Sequence, residues 1–231
     1  MKTIGLIGGM SWESTVPYYQ AINRAVGRTL GGLHSAKIIM YSVDFHEIEQ
    51  HQHAGRWRES GEILAGAAQA VRRGGADFLV LCTNTMHKVA DQIEEAVDIP
   101  LLHIADATAA QVKAAGVTRV GLLGTKFTME GDFYRGRLEA RHGLTVLTPP
   151  AEHRETVHRV IYQELCFGRV IEDSREAFRQ VVRELASRGA EGVILGCTEI
   201  GMLLQPEDAP VPLFDTATIH AEAAAAYATA D

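Results

Sequence analysis

The chain has 231 residues, 46% of them hydrophobic and 22% charged, an ordinary globular composition that can bury a substantial core in one large domain or two small ones. A formal charge of −7 argues against nucleic acid or an anionic membrane as the main partner, while small acidic ligands stay open because local groups bind them. Three cysteines do not read as a disulfide framework, no apolar stretch approaches the roughly 18 residues of a membrane span, and no secretory segment precedes the first strand-like run, so a cytoplasmic, reduced setting is expected.

Taken in chain order, short aliphatic runs alternate with longer helical patterns. Strands are predicted over 3–8, 36–43, 77–82, 100–104, 119–124, 145–147, 192–197 and 211–214. Helical patterns lie between them. One covers 62–73, with Ile63, Ala67, Ala70 and Val71 on one face. Another covers 177–188, with Val181, Val182, Leu185 and Ala186, and a last one covers 216–228. Near-continuous apolar strands joined through helices predict an α/β fold of mostly parallel sheet.

An internal repeat sharpens this reading. Ile4-Gly5-Leu6-Ile7-Gly8-Gly9 is matched by Val120-Gly121-Leu122-Leu123-Gly124-Thr125. Gly75-Ala76-Asp77 before one run matches Gly189-Ala190-Glu191 before another, and both runs end in Cys-Thr, at Cys82-Thr83 and Cys197-Thr198. Gly8 to Cys82 spans 74 positions and Gly124 to Cys197 spans 73, a spacing expected of two βα halves related by duplication. The expectation is two similar lobes with pseudo-twofold symmetry and an active site in the cleft between them. The first lobe covers 1–98 and is completed by the C-terminal segment 215–231; the second covers 99–214.

In parallel sheets, ligands bind beyond the carboxyl ends of strands. Four such ends carry unusual polar content: Gly8-Gly9-Met10-Ser11, Cys82-Thr83-Asn84-Thr85, Gly124-Thr125-Lys126 and Cys197-Thr198-Glu199. Two thiols at equivalent turns suit moving a proton off one face of a carbon and onto the other. Amides at the start of a following helix favour the thiolate, and lowering a Cys pKa from about 8.5 to about 7 requires roughly 2 kcal/mol. The same amides and Asn84 suit a substrate carboxylate. Helix capping by Thr83 or Thr198 is the bland alternative. Glu199 would raise the pKa of a nearby thiol, and either orients a substrate amine or caps a helix.

Other motifs fail at named residues. Ile7 stands where a dinucleotide fingerprint needs its second glycine. His46, His51 and His53, with Glu47 and Glu49, read as a solvated face rather than a metal site. Cys166, on a helix-like segment over 161–168, is assigned to packing. Arg56, Lys88 and Lys126 are candidates to meet a distal carboxylate, each weighed against an ordinary surface charge.

At these residues the chain resembles the aspartate/glutamate racemase family. The resemblance runs end to end. It takes in I-G-L-I-G-G-M-S-W-E-S-T at the start, Val43-Asp44-Phe45 with Gln52 after it, and C-T-N-T-M-H-K from Cys82. It continues through H-I-A-D-A-T from His103, Gly124-Thr125, Y-x-E-L from Tyr162, G-C-T-E-I from Gly196 and F-D-T from Phe214. The reading G-C-T-E is nearer the aspartate-type branch than the dedicated glutamate racemases, which typically read G-C-T-H.

The resemblance implies a two-lobed homodimer without pyridoxal phosphate that racemises an acidic amino acid, aspartate or glutamate, by two bases. Cys82 and Cys197 would be the acid/base groups. Met10, Gln52, Asn84, Thr85, Thr125 and Thr198 would line the substrate site, flanked by Ser11, Thr83 and Glu199. Glu164 falls where some members place a lysine, which changes how a distal carboxylate is met. A racemase, isomerase or decarboxylase acting on another small carboxylate (hydantoin or maleate type), and a non-catalytic binder of acidic amino acids, are the alternatives.

Overall fold

The computed structural model describes residues 1–230; position 231, the last residue of the segment assigned to the first lobe, lies outside the described residues. Contacts divide the chain into two units, Met1–His103 together with the chain from His220, and Ile104–Ile219.

The first unit contains β1 (Ile4–Gly8), α1 (Trp12–Leu30), β2 (Ile38–Ser42), α2 (Phe45–His53), α3 (Trp57–Arg73), β3 (Phe78–Leu81), α4 (Ala90–Glu95) and β4 (Leu101–Leu102). Its strands form one parallel sheet in the order β2-β1-β3-β4. The second unit contains α5 (Ile104–Ala114), β5 (Arg119–Gly124), α6 (Lys126–Glu130), α7 (Asp132–His142), β6 (Thr145–Leu147), α8 (Ala151–Gln163), α9 (Glu172–Ser187), β7 (Gly192–Gly196), α10 (Ile200–Leu203) and β8 (Leu213–Asp215). Its sheet is parallel in the order β6-β5-β7-β8, the same topology. A last helix, α11 (Thr216–Thr229), begins in the second unit and continues into the first.

The duplicated sequence explains the duplicated topology. β1, β3 and β7 are buried along their whole length, as strands covered on both faces must be, and each buried aliphatic side chain contributes roughly 1.5–3 kcal/mol. Gly5 and Gly121, equivalent in the repeat, let a helix approach its sheet. A Cβ on Gly5 would lie 3.0 Å from Val71 of α3, and one on Gly121 would lie 2.9 Å from Leu185 of α9. The matching Gly-Ala-acid triplets act as clips. Gly75 and Gly189 turn the chain at φ +99° and +93°, where glycine alone is unstrained. The acid two residues later then reaches the neighbouring strand of its own sheet. Asp77 Oδ2 accepts from the Thr3 amide at 2.6 Å, and Glu191 Oε2 accepts from the Thr118 and Arg119 amides at 2.8 and 3.1 Å.

Three expectations change in detail. The predicted strand over 100–104 shrinks to Leu101–Leu102, because Ile104 already opens α5. The buried stripe of α3 is Leu64, Ala67, Ala68 and Val71, with Ile63 and Ala70 at its margin. The segment around Cys166 is not continuous helix: α8 ends at Gln163, and a 3₁₀ turn over Leu165–Phe167 follows. Among the described residues, no helix is long and apolar enough to cross a membrane.

Candidate active site

In the first unit the candidate residues gather behind the ends of β1 and β3. The Cys82 amide donates to the Ile7 carbonyl at 2.9 Å, which fixes the thiol one residue past the strand beside β1. Met10 is buried in the same apolar cluster as Ile48 of α2 and Met86. Gln52, 3% exposed on α2, donates its Nε2 to Met86 Sδ at 3.0 Å. Met10 and Gln52 are thus brought to the segment that carries Cys82, Thr83, Asn84 and Thr85, all of them buried. Ser11 sits at the N-cap of α1 without a side-chain cap bond; its carbonyl accepts from the Ser14 and Thr15 hydroxyls at 3.2 and 2.9 Å.

The turn after Cys82 is braced by a residue to which sequence reasoning assigned no role. His87 Nδ1–H donates to the Thr83 carbonyl at 2.7 Å, and its ring lies 4.4 Å, centroid to centroid, from that of His103. His220, fully buried, completes an aromatic group around them. Its Nε2–H donates to the Leu102 carbonyl at 2.8 Å, and the neutral ring's Nδ1 accepts from the Tyr18 hydroxyl at 3.0 Å. Burial pushes its pKa down to about 4, so the ring is uncharged at neutral pH. His87 stands inside C-T-N-T-M-H-K, so the motif itself was the available signal.

In the second unit, Cys197 follows β7 directly and its carbonyl accepts from the Ile200 amide at 3.1 Å. Its Sγ–H donates to Glu199 Oε2 at 2.9 Å, and the Thr198 hydroxyl donates to the same oxygen at 3.0 Å. Glu199 is 1% exposed. Thr125 caps α6, its Oγ1 accepting from the Thr128 amide at 3.2 Å. The next amide, Lys126 N–H, donates to His158 Nδ1 at 3.2 Å, and His158 packs against Tyr162. Glu164 stands apart, bracketed between α8 and α9: it accepts from the Ser174 hydroxyl at 2.5 Å and pairs with Arg159 at 3.2 Å.

The electrostatics correct one expectation. Neither thiol is held down by a helix. Burial pushes the Cys82 thiol well above its ordinary range. Cys197 is pushed well up by burial first, then by the Glu199 charge and by Cys166. The physical reason is local. After Cys82 comes a five-residue 3₁₀ turn, Thr85–Val89, and α10 has four residues, so neither builds a useful dipole, while both sulfurs are out of water. Cys82 Sγ points its proton at the Val80 carbonyl 3.9 Å away, a partner that favours the neutral thiol.

The three cationic candidates are engaged elsewhere within their own units. Arg56 donates to His51 at 2.9 Å, Lys88 lies over the Trp57 ring at 4.4 Å, and Lys126 pairs with Glu155 at 2.6 Å. His46, His51 and His53 lie on the largely exposed α2, and no group of three or more metal-binding side chains occurs among the described residues.

Known proteins resemble the chain throughout. The sequence model for the Asp/Glu/Hydantoin racemase family matches residues 7–224. A candidate Asp/Glu racemase from Yersinia pestis, known as a crystal structure, is 58% identical with full coverage of both chains and a TM-score of 0.92. An aspartate racemase homologue from Pyrococcus horikoshii is 37% identical, again over all of both chains, with a TM-score of 0.83. A curated relative, the broad specificity amino-acid racemase RacX of Bacillus subtilis, is 23% identical over 220 residues, 92% of each chain.

Proposed function

Because the chain belongs to the Asp/Glu/Hydantoin racemase family, we propose that it racemises an α-amino acid by a two-thiol mechanism, with Cys82 and Cys197 on opposite faces of Cα. The carrying observation is that each of two equivalent strands ends in a buried cysteine whose neighbours are hydroxyl and amide donors. Aspartate and glutamate are the substrates that the sequence resemblance implies, and the name of the Pyrococcus relative points the same way.

Both thiols start protonated, so the substrate must help to make the base. Its α-ammonium brings the positive charge that the site lacks, and a cation within ~4–6 Å favours the thiolate. Glu199, already hydrogen-bonded to Cys197, is placed to accept the proton that leaves the sulfur. The Cys197 thiolate then takes the Cα proton as Cys82 delivers its own to the other face, which inverts the carbon and leaves the thiols in exchanged states. The reverse direction starts from that exchanged state, with Cys82 as the thiolate, Cys197 as the thiol and the displaced proton held on Glu199. Asn84, Thr85, Thr125 and Thr198 would hold the α-carboxylate and so stabilise the carbanion as it forms. Acid–base catalysis supplies about 10²–10⁴-fold, and positioning the remainder.

Incubation of an L-amino acid in D₂O tests the reading. Deuterium should enter at Cα as the D-enantiomer accumulates. Binding without exchange would make the protein a receptor rather than an enzyme. We place a homodimer in the same proposal, to be checked by light scattering.

A further inference from the structure

The turns that follow the two cysteines close in the same way and differ in one side chain. The His87 amide donates to the Asn84 carbonyl at 3.1 Å, and the Met202 amide donates to the Glu199 carbonyl at 3.0 Å. His87 and Met202 stand at the same offset from Cys82 and Cys197. The backbone is matched, yet only the first unit places a side-chain donor at this point, since a thioether has no proton to give.

That donor acts on the residue beside the thiol. The Thr83 amide donates to the Leu81 carbonyl at 2.8 Å, which closes a three-residue turn with Cys82 at its centre. The Thr83 carbonyl accepts from His87 Nδ1–H at 2.7 Å. Both peptides of Thr83 are thus held, one by the strand and one by the imidazole. A trans peptide points its N–H opposite its carbonyl, so fixing the Thr83 carbonyl also fixes the direction of the Asn84 amide. The second unit gathers its turn by other means, with Glu199 accepting from Cys197 Sγ–H and from the Thr198 hydroxyl. Asn84 stands at the place of Glu199 in the repeat, and Cys82 Sγ has the Val80 carbonyl 3.9 Å away.

The His87 ring has little room to turn aside. It is buried, tilted against His103 at 4.4 Å between centroids, and met by His220 at 6.1 Å. His220 is itself fixed through both nitrogens, to the Leu102 carbonyl and the Tyr18 hydroxyl. All of these residues belong to the first unit.

We infer that His87 is a positioning residue for Cys82, acting through one hydrogen bond from Nδ1–H to the Thr83 carbonyl and carrying no proton in the reaction. Its effect on turnover rests on the racemase reading; its hold on Cys82 does not.

Asparagine and leucine at position 87 separate the hydrogen bond from packing. They are close in size, and only asparagine sets an amide nitrogen where His87 has Nδ1. In the intact chain, His87→Leu should let iodoacetamide alkylate Cys82 about fivefold faster or more, the worth of one hydrogen bond, whereas His87→Asn should stay within about twofold of wild type. Peptide mass spectrometry should find Cys197 alkylation unchanged in both. In D₂O with L-aspartate and L-glutamate, kcat for deuterium exchange at Cα should fall about tenfold or more in His87→Leu and no more than about threefold in His87→Asn. A packing role alone predicts leucine to serve at least as well as asparagine; that order, or equal effects of the two, would overturn the assignment. So would equal acceleration at Cys197, or lost exchange in His87→Asn with Cys82 still protected, which would make His87 a proton carrier. No exchange in the wild type, with the alkylation order as expected, would overturn the racemase reading and leave the hold on Cys82 standing.

Discussion

The Cys82 and Cys197 turns occupy the same place in their sheets and differ in what meets the sulfur. Cys82 faces a backbone carbonyl, and its turn is braced from behind by His87 on the Thr83 carbonyl. Cys197 faces a carboxylate that also gathers the Thr198 hydroxyl. Duplication preserved the strand, the glycines, the thiol and the threonine after it, while the next two residues diverged, Asn-Thr in one half and Glu-Ile in the other. Under the proposed mechanism, matched positions would serve a two-sided reaction without matched surroundings: the half with the carboxylate would have somewhere to put a proton, and the half without it would keep its proton until one is demanded.

The comparison breaks most severely if a sulfur is removed. Cys82→Ala and Cys197→Ala should each lower racemisation by about 10²–10⁴-fold, read as the change in optical rotation from either enantiomer. Full activity in either variant would end the two-thiol reading.

The histidines behind Cys82 make a second difference visible, in stability. His220 is held neutral in the folded protein with a pKa of about 4, whereas in the unfolded chain it titrates near 6.5. Between those values the unfolded state binds the extra proton. Stability is therefore undiminished above about pH 6.5 and falls by about 3 kcal/mol as the pH drops toward 4. Urea unfolding at pH 7 and pH 4.5 should show the loss, and His220→Gln should flatten it.

Glu199→Gln should sharpen the asymmetry between the thiols. Because the Glu199 charge helps to raise Cys197, the variant's Cys197 should ionise at lower pH, and iodoacetamide should alkylate it faster at pH 8. Peptide mass spectrometry should find Cys82 alkylation unchanged. Equal acceleration at both cysteines would show a general loosening instead. The smallest effect is expected where the halves agree most. Asp77→Asn and Glu191→Gln should each lower Tm modestly, by less than the loss of the His220 contribution, since the clips are exposed and water competes for them.

Much of this was legible in the chain because strands and repeats are local patterns. The Gly-Ala-acid triplets and apolar runs marked β3 and β7 to within one residue, whereas the close approach of helices at Gly5 and Gly121 emerged only from the packing. The thiol chemistry was less legible. Sequence places Cys82 and Cys197 before helical residues but does not reveal that the helices are a single turn or that the sulfurs are dry. His87, His103 and His220 are scattered along the chain, so no periodicity could join them. Ser174 and Glu164, ten positions apart across a turn, met only when α8 and α9 folded back.

The course of α11 has a consequence for synthesis. The first unit is not contiguous: its residues through His103 leave the ribosome early, while His220, which ties Tyr18 to the Leu102 carbonyl, and Ala228, whose carbonyl takes the Lys2 amide, arrive last. The second unit, an unbroken stretch of chain, is complete before that. The half of the protein made first is therefore the last to close, and until it does Tyr18 and Phe78, both fully buried in the folded chain, lack the cover of His220 and Tyr227.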